Sequence, residues 1–252
     1  MKTFIQVAAL CLLLAGCDDR QDGAQTDGDV SSDAVKRIVI VTGIDYPGHH
    51  WQQTAPALAK VLRADARLDV TVVEDPAFLA SPELRHFDAA VLHFMDWESP
   101  DPGPTARGGL QRFVRAGKGL MIVHFGCGAF QEWDEFVKIA GRIWDPELRG
   151  HDPHGSFTVA INDADHPITQ GMASFETTDE LYTCLTGETP IHVLATARSK
   201  VDDLDYPIAF VLDYGKGRIF HCVLGHDVPA VENPGAAALF RRGAAWAARL
   251  TP

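Results

Sequence analysis

The feature that most constrains this chain is Gly119-Leu120-Met121-Ile122-Val123-His124-Phe125-Gly126-Cys127-Gly128, an apolar run that stops at a histidine and turns through glycines. A run of this length opened by glycine predicts a strand buried on both faces, and Phe130, Trp133, Phe136, Val137 and Ile139 behind it predict an amphipathic helix. Strand, tight turn and helix in that order hold the turn residue at the carboxyl edge of a sheet. Open α/β folds bind ligands there, beside the N–H groups of a helix start. His124 occupies that point.

The same alternation runs through the first half. Residues 37–43 read as a buried strand, 51–64 as a helix with Ala55, Leu58, Ala59 and Leu62 on one face, 69–74 as a second strand and 87–94 as a third that includes His93. A Pro- and Gly-rich loop follows at 99–104, then a helix marked by Leu110, Phe113 and Val114 that Gly117 ends. Such alternation predicts right-handed crossovers and a parallel sheet. After Gly141 the helical windows thin out. Strand-like segments lie at 156–161, 191–196, 208–213 and 218–223, with Tyr214-Gly215-Lys216-Gly217 as a hairpin signal between the last two. A closing helix at 236–250 carries Leu239, Phe240, Trp246 and Leu250. The expectation is one α/β domain: a three-layer sandwich with a mostly parallel central sheet, helices on both faces and an antiparallel extension in the second half. At 252 residues and 46% hydrophobic content the chain is long enough to bury such a core.

The first residues read as a targeting segment. Lys2 precedes the apolar run 4–14, which is too short to span a bilayer, and Leu14-Ala15-Gly16-Cys17 resembles a bacterial lipoprotein signal with Cys17 as the lipidated residue. Residues 1–16 are the expected signal peptide and 17–35 an acidic tether holding Asp18, Asp19, Asp22, Asp27, Asp29 and Asp33. The folded domain is then 36–252. This places the protein in the cell envelope, lipid-anchored to a bacterial membrane and facing the periplasm or exterior. The formal charge of -12 leaves no basic face of the size that nucleic acid requires. Beyond Cys11 and Cys17 the chain holds Cys127, Cys184 and Cys222, an odd number that permits at most one internal disulfide.

Several histidines and carboxylates fall at strand ends. His124 ends one strand, His226-Asp227 follows another, residues 42–50 follow the first, and His151 with His154 and Asp179-Glu180 with Tyr182 flank strands in the second half. His93, His86, His192 and His221 read as structural or solvated, and His166-Pro167 as a turn. The candidate catalytic set is His124, His226, Asp179 and Glu180. His124, His151 and His226 are candidate ligands of a divalent metal such as zinc, and His49, Trp51, Tyr182 and Asp227 candidate substrate contacts. If one site gathers them, the imidazoles of His124 and His226 should lie within about 10 Å of each other.

The run ending at His124, His166-Pro167-Ile168, Gly171, Phe175, Asp179-Glu180-Leu181-Tyr182, the 214–220 turn and Leu224-Gly225-His226 together resemble the trehalose-utilisation (ThuA-like) family. Tyr46 to Trp51, Gly150-His151 and Asn233-Pro234 also fit. The resemblance implies a class I glutamine-amidotransferase-like, flavodoxin-like fold and a small-molecule carbohydrate as partner. Amidotransferases of that fold carry a nucleophilic cysteine at the turn that His124 fills here, so the chain lacks the thiolate of a glutaminase. Three activities compete: an enzyme acting on a sugar or an oxidised (keto) glycoside, a sugar-binding lipoprotein without chemistry, stacking sugar on Trp51, Trp97 or Tyr182, and a hydrolase using Cys127 as a displaced nucleophile. Cys127 itself reads first as a small buried side chain.

Overall fold

In the computed structural model the described residues are 35–252; the expected signal, Cys17 and nearly all of the tether lie outside them. Six-residue β1 (Lys36–Val41) opens the sheet, and its apolar Ile38, Val39, Ile40 and Val41 are fully buried. α1 (Trp51–Arg63), β2 (Leu68–Val73), β3 (Ala89–Leu92), α2 (Pro104–Arg115) and β4 (Gly119–Val123) follow. Every residue of β3 and β4 is buried, as strands covered on both faces require. The second half gives α3 (Asp134–Ala140), β5 (Gly155–Ile161), β6 (Phe175–Asp179), β7 (His192–Arg198), β8 (Asp205–Tyr214), β9 (Gly217–Cys222), α4 (Val228–Glu232) and α5 (Pro234–Ala247).

The strands form one nine-stranded sheet in the order β2-β1-β3-β4-β9-β8-β7-β5-β6. β2, β1, β3, β4 and β9 run parallel to one another, and from β9 onward every pairing is antiparallel. The sheet is therefore mixed: the expected antiparallel extension makes up half the pairings. β1 connects to β2 on one side while β3 lies on its other side, which makes the gap between β1 and β3 a switch point of the flavodoxin kind. The loops after β1, β3, β4 and β9 all leave from that carboxyl edge. α1, α4 and α5 pack on one another, while α2 rests on the 3-10 turn Pro76–Ala80 and on β9. The nine strands and the apolar core found among the described residues all lie in one compact unit, which has the single sheet and continuous core of a self-contained domain.

Three local outcomes differ from the sequence reading. β6 carries no strand signal in the sequence: its inward positions are Phe175, Thr177 and Asp179, so apolar alternation is absent. The segment after β4 is a 3-10 turn, His124–Gly128, and α3 begins only at Asp134. Ala129 is extended and Phe130 has φ 53°, so the chain leaves helical geometry twice before α3 and no helix N-terminus abuts His124. The closing helix starts two residues early, at Pro234, because Asn233 caps it, accepting from the N–H groups of Gly235 and Ala236. No helix among the described residues is long and apolar enough to cross a membrane.

Candidate functional site

His124 sits at the end of the buried β4 with φ 46°, a left-handed conformation that is strained for a side chain with a Cβ. The turn is held tightly, since a Cβ on Gly126 would lie 2.5 Å from the Leu92 carbonyl oxygen. His124 Nδ1 donates to the Val223 carbonyl at 2.8 Å, which fixes the tautomer and leaves Nε2 as the lone-pair nitrogen. That Nε2 is buried and has no hydrogen-bond partner. It lies 3.5 Å from Oε2 of Glu180, whose side chain is 13% exposed.

Three more side chains meet it. His226, following β9, places Nδ1 3.1 Å from the same Glu180 oxygen, close enough for charge pairing though outside hydrogen-bond geometry. His49, from the loop after β1, has its ring centroid 5.0 Å from that of His124 and 5.2 Å from that of His226. The His124 and His226 centroids are 5.5 Å apart, inside the separation anticipated for one shared site. One donor atom from each of His49, His124, Glu180 and His226 falls within 4.8 Å of all the others. Bonds of about 2.0–2.1 Å in a tetrahedron set ligand atoms roughly 3.4 Å apart, so the cluster needs only modest contraction to enclose an ion.

The electrostatics favour a cation. Burial opposes ionisation of Glu180, yet His124 and His226 outweigh it and hold the carboxyl below the usual carboxylate range. Contact with Glu180 raises His226. Burial, reinforced by the neighbouring His124, drives His49 down to about 2, so that ring is a neutral imidazole at any working pH. A largely buried carboxylate among three imidazoles, each with an unpartnered ring nitrogen, is a donor set suited to a divalent first-row ion.

Asp179 does not reach this cluster. Fully buried, it accepts from Gly225 N at 2.7 Å, from Glu180 N at 2.8 Å and from His226 N at 3.1 Å, so it clamps the backbone of both Glu180 and His226 from beneath. Gly225, with φ 115°, supplies the bend that turns this loop toward the carboxylate. Burial raises Asp179 above the usual carboxylate range.

The cluster floors a pocket of about 330 Å³ walled by Tyr46, Trp97, Trp144, Phe125, Met95 and Tyr182. Trp97 and Trp144 meet edge to face at 5.2 Å. His151 belongs to the wall rather than to the four-atom cluster: its Nδ1 donates to the Asp152 carbonyl at 2.7 Å, and its Nε2 stands 3.8 Å from the other Glu180 oxygen. Tyr182 is buried with its hydroxyl 3.5 Å from His49 Nε2. Two expected substrate contacts lie elsewhere. Trp51 Nε1 donates to Asp45 at 2.8 Å at the entry to α1, and Asp227 caps α4 by accepting from Ala230 N at 2.8 Å. The bland readings of the other histidines agree with their placement. His93 is buried against Thr42, and His221 donates to the Ala140 carbonyl at 3.0 Å. Cys127 borders the pocket but is inaccessible to solvent, and burial pushes its thiol up to about 12. Cys127, Cys184 and Cys222 are all free thiols.

A mixed α/β sheet with histidines gathered on the carboxyl edge of its parallel half defines the class. Within it, residues 37–247 match the family described as ThuA, trehalose utilisation, and the chain belongs to that family. A ThuA-like protein from Parabacteroides merdae is 25% identical and superposes with a TM-score of 0.75 over 85% of this chain and 90% of its own. A ThuA-like protein from Bacteroides uniformis is 18% identical with a TM-score of 0.67, covering 88% of this chain and 94% of its own. The fold also recurs within a beta-galactosidase from Rahnella, at 17% identity and a TM-score of 0.58 over 86% of this chain but 32% of that one. No curated protein matches in sequence.

Proposed function

We propose that the protein is a carbohydrate-active enzyme of the cell envelope, anchored through a lipid on Cys17, that acts on a sugar or an oxidised (keto) glycoside. Its two groups of helices are taken to cover opposite faces of the sheet, leaving the carboxyl edge open to substrate. The observation that carries the reading is the convergence of His49, His124, Glu180 and His226 beneath an aromatic pocket of monosaccharide dimensions. These four residues would hold a divalent metal ion. When bound, such an ion polarises a sugar hydroxyl or carbonyl oxygen.

The remaining roles belong to the chain's own side chains. Trp97, Trp144 and Tyr46 present ring faces and edges on which the apolar face of a pyranose rests. His151, its Nδ1 proton held by Asp152 O, has Nε2 free to take a proton from the substrate and return it. Tyr182, buried and raised well above its ordinary value by that burial, stays protonated and donates from its hydroxyl. Met95 and Phe125, in the wall, exclude water from around the cluster. The Cys127 hydrolase is disfavoured, because a thiol near 12 supplies almost no thiolate at neutral pH.

Turnover of a panel of glucosides and their keto derivatives by the purified protein tests this reading. Activity that falls at least a hundredfold in His151→Ala with metal content unchanged would support it. Binding of those sugars without turnover in metal-loaded protein would leave a sugar-binding lipoprotein instead.

A further inference from the structure

The edge of the sheet opposite the pocket is basic, although the chain as a whole carries a formal charge of -12. Arg85 lies on the 3-10 turn Pro82–His86, Arg112 and Arg115 end α2, Lys118 precedes β4, Lys216 turns the β8–β9 hairpin and Arg249 follows α5. Arg85, Arg112 and Lys118 line one groove of about 400 Å³ floored by Leu84 and Phe113. Arg249 donates to the carbonyls of Gly117 and Lys216, and Lys216 N donates to Arg115 O, which joins the rest to that groove.

All six except Lys118 are exposed. Of the six, Lys118 is the one with a salt bridge to a carboxylate among the described residues, to Asp88 at 3.6 Å. Three acids near this edge have basic side chains beside them: Asp65 pairs with Arg67 at 2.7 Å, Glu83 stands 3.7 Å from the His86 imidazole, and Asp213 lies near Arg218. Arg112 and Arg115 complement the dipole at the end of α2. Lys118 is partly accounted for by Asp88, whereas Lys216, on the hairpin, has no such local reason.

β1 enters the sheet from this same edge, Lys36 N donating to Arg67 O, so the segment leading back to Cys17 departs here. We propose that this face docks on the anionic phospholipid headgroups of the membrane that holds the anchor, which points the pocket away from the bilayer. The orientation rests on the lipid anchor at Cys17; the affinity of the face does not. Each Lys or Arg brought close to an anionic bilayer multiplies binding about fivefold, and the attraction dies within a Debye length of about 8 Å. A short tether raises the local concentration to roughly millimolar, enough for a weak face to stay engaged.

Residues 35–252 without an anchor should sediment with phosphatidylglycerol–phosphatidylcholine vesicles at low salt, and not with phosphatidylcholine alone or at high salt. Arg85→Glu/Arg112→Glu/Lys216→Glu should lower that partitioning by more than about a hundredfold. Arg198→Glu/Lys200→Glu, at the far end of β7 and just past it, should leave it unchanged. The same three positions changed to Gln provide a milder series should the charge reversals impair folding. No binding of the wild-type domain to anionic vesicles at low salt overturns the proposal, as does undiminished binding by the triple variants. Membrane fractionation of full-length Cys17→Ser reads the anchor separately: a domain that binds vesicles from a chain that is never anchored keeps the face and loses the orientation.

Discussion

Asp179→Asn is the perturbation that isolates how the site is held. The carboxylate accepts three backbone N–H bonds, from Gly225, Glu180 and His226, and an amide keeps its shape while turning one acceptor into a donor. Either the Gly225 side or the Glu180–His226 side then faces an NH₂ group across 2.7–3.1 Å. Hydrogen bonds to a charged group contribute about 1.5–3 kcal/mol each. Removing a buried charge returns part of that, because burial already raises Asp179. A net loss of about 3 kcal/mol follows, equivalent to a melting temperature lower by roughly 6–12 °C for a domain of this size. Since Asp179 touches the backbone of two cluster residues and none of their donor atoms, metal affinity should fall about 10- to 100-fold as well. Differential scanning fluorimetry and competitive chelator titration read the two effects. A melting temperature within about 2 °C of wild type, together with unchanged affinity, would refute the clamp.

The remaining expectations concern separate parts of the molecule. His221 is wholly buried and held down to about 4, against 6.5 when unfolded, so the folded state keeps it neutral while the unfolded state takes up a proton. Stability is then full above pH 6.5 and falls toward pH 4 by about 3 kcal/mol from this residue alone. His221→Gln should flatten the slope of stability against pH in that window, and an unaltered slope would contradict the assignment. Cys17→Ser should release the protein from membranes washed at high salt, where the basic face no longer binds, or leave it unprocessed; unchanged fractionation and processing would end the lipoprotein reading. Iodoacetamide should leave activity intact in the native state and label Cys127 only after unfolding, whereas stoichiometric inactivation at neutral pH would revive the thiol mechanism.

The legible parts of the sequence were those whose signal is periodic. β1, β3 and β4 announce themselves as apolar runs, and His124 as the residue where one of them stops at a glycine turn. His226 was legible for the same reason, as a histidine beside the glycine after β9. His49 reads in sequence only as a substrate contact because nothing in the 42–50 loop says how it folds; its ring stacks on Phe125 at 4.6 Å, and that packing carries it into the cluster. Asp179 and Glu180 are adjacent, and neighbours on an extended chain point to opposite sides, so one clamps the loop beneath while the other enters the site. Composition cannot tell which does which. Trp144 belongs to the pocket through its edge-to-face contact with the distant Trp97 and its packing over Gly150, where a Cβ would overlap its ring, and no periodic pattern encodes that.

Metal content per chain tests the central claim most directly. Purified wild-type protein, loaded with a divalent first-row ion and desalted, should retain one equivalent by plasma mass spectrometry. His124→Ala and Glu180→Gln should each lose it while keeping their circular dichroism, because the four donors lie within 4.8 Å of one another and none is redundant. A wild-type chain that retains no ion under any loading, or variants that keep the full equivalent, would contradict it.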